Sequence, residues 1–242
     1  MLIISKALIA TLETPQKIVS GHQFFSLHSV EMRLLELFSG TQSVGKVARE
    51  MGYQVTSLDL SDADININVL EWDYTQYPAG HFDFIWASPP CQFFSCARRS
   101  NIGRHGITRE SIESDIIEHG LPILRKTEEI VDYFQPTYWC IENPATGKMK
   151  DYINNRPYYI VDYCMYGDQA RKRTQIWTNI TNFTPKLCNK ACGSFDISNN
   201  RHICSATGGS KTQKGRGSGS SKKKRHAIPQ TLITELLTAA NT

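Results

Sequence analysis

Three short segments carry side chains able to do covalent chemistry on a planar ring. The first is Ala87-Ser88-Pro89-Pro90-Cys91-Gln92-Phe93-Phe94-Ser95. An apolar run, Phe82 to Ala87, precedes it, so Cys91 is expected just beyond the carboxyl end of a strand. Two prolines stiffen the approach. A thiolate held there can attack an electron-poor ring carbon, because it is a strong nucleophile; the competing reading is a buried structural thiol. The second segment, Trp139-Cys140-Ile141-Glu142-Asn143-Pro144, also ends an apolar run. A carboxyl at that edge can protonate or hydrogen-bond a ring nitrogen; the alternative is a strand-end glutamate in water. The third is Gln169-Ala170-Arg171-Lys172-Arg173. In an extended chain its alternate residues point one way, so Arg171 and Arg173 could together hold a base carbonyl or a phosphate, or form a charged edge strand.

A fourth group suggests a nucleoside. Glu36-Leu37-Phe38-Ser39-Gly40 closes a buried run, and a glycine there lets the backbone turn tightly beside a ligand. Asp59 follows nineteen residues after Gly40, where an acid is placed to bind ribose hydroxyls. Asp64 stands near the next turn and could accept a bond from an adenine amino group. The run from Gly40 to Lys46 also matches seven positions of a phosphate-binding loop, but the eighth, which must offer a hydroxyl to magnesium, is Val47.

These groups need a scaffold that brings strand ends together. Strand patterns fall at Arg33–Phe38, Gln54–Leu60, Phe82–Ala87, Tyr138–Ile141, Tyr158–Tyr163 and Thr174–Ile180. Helical patterns fall at Val44–Met51 and over roughly Ser111–Phe134, the latter bent or broken by Pro122. Alternation of this kind predicts an α/β fold with a mostly parallel sheet covered on both faces. Ligands then sit beyond the carboxyl ends of the strands.

The chain has 242 residues, 40% hydrophobic and 21% charged, enough for a full-sized core. No apolar stretch reaches the length of a membrane span, and the Met1–Leu12 stretch, interrupted by Lys6, lacks the pattern of a signal peptide. Seven cysteines, an odd number, suit a reduced intracellular protein that is not secreted. Net charge is only +4, yet Ser210 to His226 holds seven Lys or Arg and no acid. Such a run attracts polyanions or simply solubilises a tail. Just before it, Cys188, Cys192, His202 and Cys204 offer four ligands for a structural zinc in a segment poor in apolar residues; free cysteines in a reducing compartment are the alternative. The final stretch, Ile228–Ala240, is apolar at helical spacing and should fold back onto the main domain.

Taken in order, the segments resemble the motifs of the DNA cytosine-5 methyltransferase family. Glu36-Leu37-Phe38-Ser39-Gly40 resembles its first motif, Asp59 and Asp64-Ile65 its second and third, Pro89-Pro90-Cys91-Gln92 with Ser95 its catalytic fourth, Glu142-Asn143 its sixth, and Gln169, Arg171 and Arg173 its eighth. The resemblance covers about residues 33 to 180 and the end of the chain. It implies a Rossmann-like S-adenosylmethionine-dependent methyltransferase fold with a small target-recognition insertion. It further implies Cys91 as nucleophile with Glu142, Arg171 and Arg173 around the base, and S-adenosylmethionine against Phe38, Gly40, Asp59, Asp64, Ile65 and Pro89. Duplex DNA with a flipped cytosine is the implied partner, met by Gln92, Ser95, Arg98, Arg99 and Gln169, with Lys222, Lys223 and Lys224 on phosphates. The segment Phe93–His119 resembles the loop that closes over DNA.

Some features depart from the family. Gln42-Ser43 stands where paired glycines are usual. The sixth motif reads Glu-Asn-Pro. The final motif's counterpart, Arg225-His226-Ala227-Ile228-Pro229, has no Asn. The expected organisation is an extension at 1–31, a catalytic domain at 32–184, a recognition and basic segment at 185–225 and a returning helix at 226–242, in a monomer. An RNA cytosine-5 methyltransferase and an inactive DNA-binding homologue are the alternatives, and the intact Cys91, Glu142 and Arg171 speak against the second.

Overall fold

A computed structural model describes residues 31–204 and 226–242. The N-terminal extension and the basic run with Lys222, Lys223 and Lys224 lie outside the described residues.

Seven strands form one sheet: β1 (Arg33–Leu37), β2 (Gln54–Asp59), β3 (Ile65–Asn66), β4 (Phe84–Ala87), β5 (Tyr138–Pro144), β6 (Tyr158–Asp162) and β7 (Arg173–Thr178). Their order is β3-β2-β1-β4-β5-β7-β6. The first five pair in parallel, while β7 runs antiparallel to both β5 and β6. The strand order reverses between β1 and β4, so the crevice at their carboxyl ends is where a doubly wound sheet takes its ligand.

Side-chain alternation divides the core into two layers. Leu34, Phe84, Trp86, Cys140 and Ile176 face one side and meet Val44, Val47 and Ala48 of α1 (Ser43–Glu50) and Leu232, Ile233, Leu236 and Leu237 of α5 (Gln230–Ala240). Leu35, Leu37, Ile85, Ala87, Ile141 and Trp177 face the other and meet Ile112, Ile116, Leu124, Ile130 and Phe134. Helix α5 thus packs beside α1. Lys186 and Asn241 fasten it further, through Glu235 and Tyr53.

The second layer's helices follow one path: α3 (Arg109–Asp115), a wider π turn over Ile116–Gly120, and α4 (Leu121–Phe134). Pro122 falls in the first turn of α4, where its missing N–H costs little, and the π turn before it absorbs the break. Ahead of them lies α2 (Cys96–Arg99), joined to α3 by an ion pair between Arg98 and Asp115. Beyond β7, among the described residues of the small insertion, lies a two-stranded ribbon of β8 (Phe195–Asp196) and β9 (Arg201–His202). Among the described residues, no helix is long and apolar enough to cross a membrane.

Candidate active site

A cavity of about 790 Å³ opens at the carboxyl ends of β1, β2, β4 and β5. Parallel strands deliver their loops to a common edge, so residues far apart in sequence meet there: Phe38 and Gly40, Asp59, Pro89, Cys91 and Gln92, and Glu142 all line it.

One half has the character of a nucleoside pocket. Phe38 and Gly40 both take left-handed backbone angles, φ 60° and 47°, which fold the chain back after β1. Asp59 accepts the Gly40 amide on one carboxylate oxygen and the Leu60 amide on the other, each at 2.7 Å. The carboxylate is thus fixed in place, with lone pairs left for hydroxyls. Leu58, Leu60, Ile67 and Val69 add an apolar wall, with Leu60 at its exposed rim. The buried Ser39 hydroxyl also lines this half and has no partner among the described residues.

Glu36 lies beneath. Its carboxylate accepts the Val44 and Gly45 amides at the start of α1, at 3.2 and 2.9 Å. Burial pushes its pKa up to about 7 against those two bonds. Gly45 has no room for a side chain, since a Cβ would stand 2.6 Å from Glu36 Oε2. Gln42, where paired glycines were expected, still adopts the left-handed angle a glycine would, φ 53°.

The other half holds the reactive groups. Burial raises the Cys91 thiol, the Lys172 ammonium lowers it, and the Glu142 carboxylate raises it. Glu142, 5% exposed, accepts the Tyr163 hydroxyl at 2.8 Å and the Lys172 ammonium at 3.3 Å on the same oxygen. Asn143 donates to the Pro89 carbonyl at 2.9 Å, linking the Glu142 strand end to the Cys91 loop, while its own buried carbonyl oxygen has no partner among the described residues. The loop is clamped from behind. A Cβ on Gly120 would lie 2.9 Å from the Phe94 ring, and one on Gly147 3.1 Å from the Phe94 carbonyl.

Other expected residues lie off the cavity. Arg171 and Arg173 both turn to the buried carboxylate of Asp162, at 3.3 and 2.9 Å, and it is Lys172 between them that reaches Glu142. The alternation that gives the arginines a shared side also gives that side to Asp162. Asp64 accepts the amide and hydroxyl of Ser57 at 2.8 and 2.7 Å, and Ile65 begins β3; neither lines the cavity, whereas Ile67 and Asn68 do. Ser95 caps α2 by accepting the Ala97 amide, and Arg99 lies in the last turn of that helix. Gln169 accepts the Cys204 thiol at 3.4 Å. Cys204 is drawn there by a parallel bridge to Ala170, away from Cys188, Cys192 and His202, and Cys164 stands beside those three instead. His226 and Ile228, from the segment lacking an Asn, line the cavity from the α5 side.

Lys172 and Tyr163 drew no notice in the sequence, one hidden between arginines and the other inside a strand pattern. Gly120 and Gly147 carried no motif. What marks all four is contact between segments distant along the chain, which spacing does not record.

No protein-family model matches the chain. The "Probable DNA (cytosine-5)-methyltransferase" of frog virus 3 (isolate Goorha) is 44% identical over 215 residues, covering 85% of this chain and 99% of that protein. Among solved structures, a candidate DNA modification methyltransferase encoded within an E. coli prophage is 15% identical with a TM-score of 0.44, over 66% of this chain and 52% of that one. The Entamoeba histolytica methyltransferase EhMeth is 18% identical with a TM-score of 0.46, over 65% of this chain and 56% of that one. The chain spans about half the length of each of these two structures. The 44% identity with the viral protein runs through 85% of this chain and nearly all of that protein, and on that ground the chain belongs to the DNA cytosine-5 methyltransferase family.

Proposed function

We propose that this protein transfers the methyl group of S-adenosylmethionine to carbon 5 of cytosine in DNA, with Cys91 as a transient covalent nucleophile. The observation that carries the reading is one cavity whose two halves differ in kind: a fixed carboxylate, a glycine turn and an apolar wall on one side, and Cys91, Glu142 and Lys172 on the other.

The first half fits S-adenosylmethionine. Asp59 would take the ribose hydroxyls, Leu60 and Ile67 the faces of the adenine, and the Phe38–Gly40 turn with the orphaned Ser39 hydroxyl the amino-acid end. When bound, it supplies an electrophilic methyl on a sulfonium.

The residues of the chain do the rest. Carbon 5 of cytosine is a weak nucleophile, and adding the Cys91 sulfur to carbon 6 makes it enamine-like. Glu142 holds ring nitrogen 3 and provides the proton that neutralises the adduct; Tyr163 and Lys172 fix its orientation. Lys172 also holds the Cys91 thiol lower than burial alone would leave it. After methyl transfer, a base removes the proton on carbon 5, the carbon–sulfur bond breaks to free the Cys91 thiolate, and ring nitrogen 3 returns its proton to Glu142. A base within a duplex cannot reach this cavity, so the cytosine must be extruded. Arg171 and Arg173 hold Asp162, and so the base of the insertion, while Gln92, Ser95, Arg98, Arg99 and Gln169 would meet the nucleic acid.

The test is to incubate the protein with S-adenosylmethionine and unmethylated duplex DNA, and in parallel with RNA, then digest to nucleosides for mass spectrometry. 5-Methyldeoxycytidine from DNA, absent with Cys91→Ser although that variant still binds S-adenosylmethionine, is the expected result. Turnover retained by Cys91→Ser sinks the assignment. Product from RNA alone moves the substrate, and no product with cofactor binding intact points to an inactive homologue.

A further inference from the structure

We propose that Cys164, Cys188, Cys192 and His202 hold one structural zinc ion that fastens the insertion to the end of β6. The four ligand atoms all lie within 4.8 Å of one another. The His202 Nε2 atom is 3.4 Å from both the Cys188 and the Cys192 sulfur. A tetrahedron with zinc–sulfur bonds of about 2.3 Å and a zinc–nitrogen bond of about 2.0 Å has sulfur–nitrogen edges of about 3.5 Å, so these two edges already have the length the metal requires. This cluster is separate from the Cys91 cavity, and the inference does not depend on the methyl-transfer reading.

The surroundings suit a metal as well as the ligands do. The Lys190 amide donates to the Cys188 sulfur at 3.3 Å, the kind of bond that stabilises a metal thiolate. Three thiolates, one neutral imidazole and Zn²⁺ sum to a charge of −1, and binding releases three protons from the thiols. Arg173 lies within electrostatic reach of Cys164 and Cys188 and can balance that charge. Asp162, which Arg171 and Arg173 both engage, accepts the Cys188 amide at 2.9 Å and sets the loop's position.

The insertion also needs such a fastening. Its ribbon has two residues in each strand, and its apolar side chains Ile197 and Ile203 are 85% and 50% exposed. A unit that buries so little is stabilised by a metal or by cross-links rather than by a core. Cys164 comes from the opposite direction, directly after Tyr163, whose hydroxyl holds Glu142. The metal would thus join the insertion to the strand end that orients Glu142. The sequence spacing nominated Cys204 as the fourth ligand; its thiol donates to Gln169 instead, so substituting it separates the two ligand sets.

The experiment measures metal bound to the full chain purified in reducing buffer from unsupplemented medium. About one equivalent of zinc is expected, kept in Cys204→Ser and falling below half an equivalent in Cys164→Ser and Cys192→Ser. Because those variants could fail to fold, Co²⁺ is also titrated into metal-depleted wild-type protein. Tetrahedral d–d bands with thiolate charge-transfer absorption, saturating at one cobalt, are expected. Less than half an equivalent of zinc in wild type, iron or copper in its place, an octahedral cobalt spectrum, or zinc lost from Cys204→Ser each overturns the site.

Discussion

The two ends of the sheet build function by different rules. At the β1–β2–β4 end, each contributing group sits at or just past the end of its own parallel strand: Gly40 after β1, Asp59 at the end of β2, Cys91 after β4. At the β5–β7–β6 end the strands run antiparallel, and groups meet by crossing between them: Lys172 and Tyr163 converge on Glu142, and Arg171 and Arg173 on Asp162. The first arrangement is a property of topology and tolerates change in individual contacts. The second is a network around two buried carboxylates, Glu142 and Asp162, where removing one member leaves a buried charge short of a partner.

The largest effect that would test this contrast is at Glu142. Glu142→Gln keeps the shape and removes the proton source, so kcat should fall by about 10² to 10⁴ while S-adenosylmethionine binding, at the other end, stays as it was. Cofactor affinity falling in step would mean the two halves are not separable. Next is Arg173→Ala. It leaves the fully buried Asp162 with Arg171 and the Cys188 amide, and should destabilise the protein by about 2 kcal/mol, short of a fully buried pair because the guanidinium is 41% exposed. Thermal melts with steady-state kinetics decide the matter: a lost kcat at unchanged melting temperature would give Arg173 a role at the base rather than at Asp162.

Legibility followed the same division. Strand ends that turn by glycine or proline leave marks in order along the chain, so Gly40, Asp59, Cys91 and Glu142 could be placed on one edge before any coordinates. Arg171 and Arg173 were legible as a pair sharing one side, but sequence carries no sign of which side faces the cavity. That depends on where Asp162 lies, eleven residues back in an antiparallel partner. Asp64 had the right type in the right neighbourhood, yet Ser57 across the β2–β3 turn takes its oxygen. Cys164 was out of reach for a related reason, since ligand spacing is read within a loop and it arrives from the strand before. The helical region was readable as far as Phe134, with an interruption at Pro122, while the π turn just before that proline answers to packing against Phe94.

That packing gives a prediction of intermediate size. Gly120→Ala puts a Cβ 2.9 Å from a Phe94 ring that is 2% exposed, so either the helix or the Cys91 loop must shift. A loss of about 1 to 3 kcal/mol in stability is expected, with a lower kcat. An unchanged melt would show that the clamp yields freely. Smaller still is Lys172→Ala. Without the ammonium the Cys91 thiol moves further up, so the rising limb of the pH–rate profile should shift to higher pH, with kcat/KM down about tenfold near neutrality. A loss that is the same at every pH would assign Lys172 to holding Glu142 alone.

The smallest effect belongs to the parallel end, where a single charge is buried without a network. The Glu36 pKa is raised by burial to about 7 in the folded protein, above its value in the unfolded chain. The protonated form is therefore favoured by folding. Its contribution is fully present below the unfolded value and is lost as pH rises through about 7, where a buried carboxylate must form. Between about pH 6 and about pH 8 the change is roughly 1 kcal/mol of stability. Glu36→Gln cannot ionise. It will be less stable throughout, because an amide N–H must face one of the Val44 and Gly45 amides that the carboxylate now accepts. The informative quantity is thus the slope: denaturant midpoints across this range should fall for the wild type more steeply than for the variant. Parallel slopes would mean that the two amides at the start of α1 hold the carboxylate ionised in spite of its burial, and that this end of the sheet tolerates a buried charge as readily as the other.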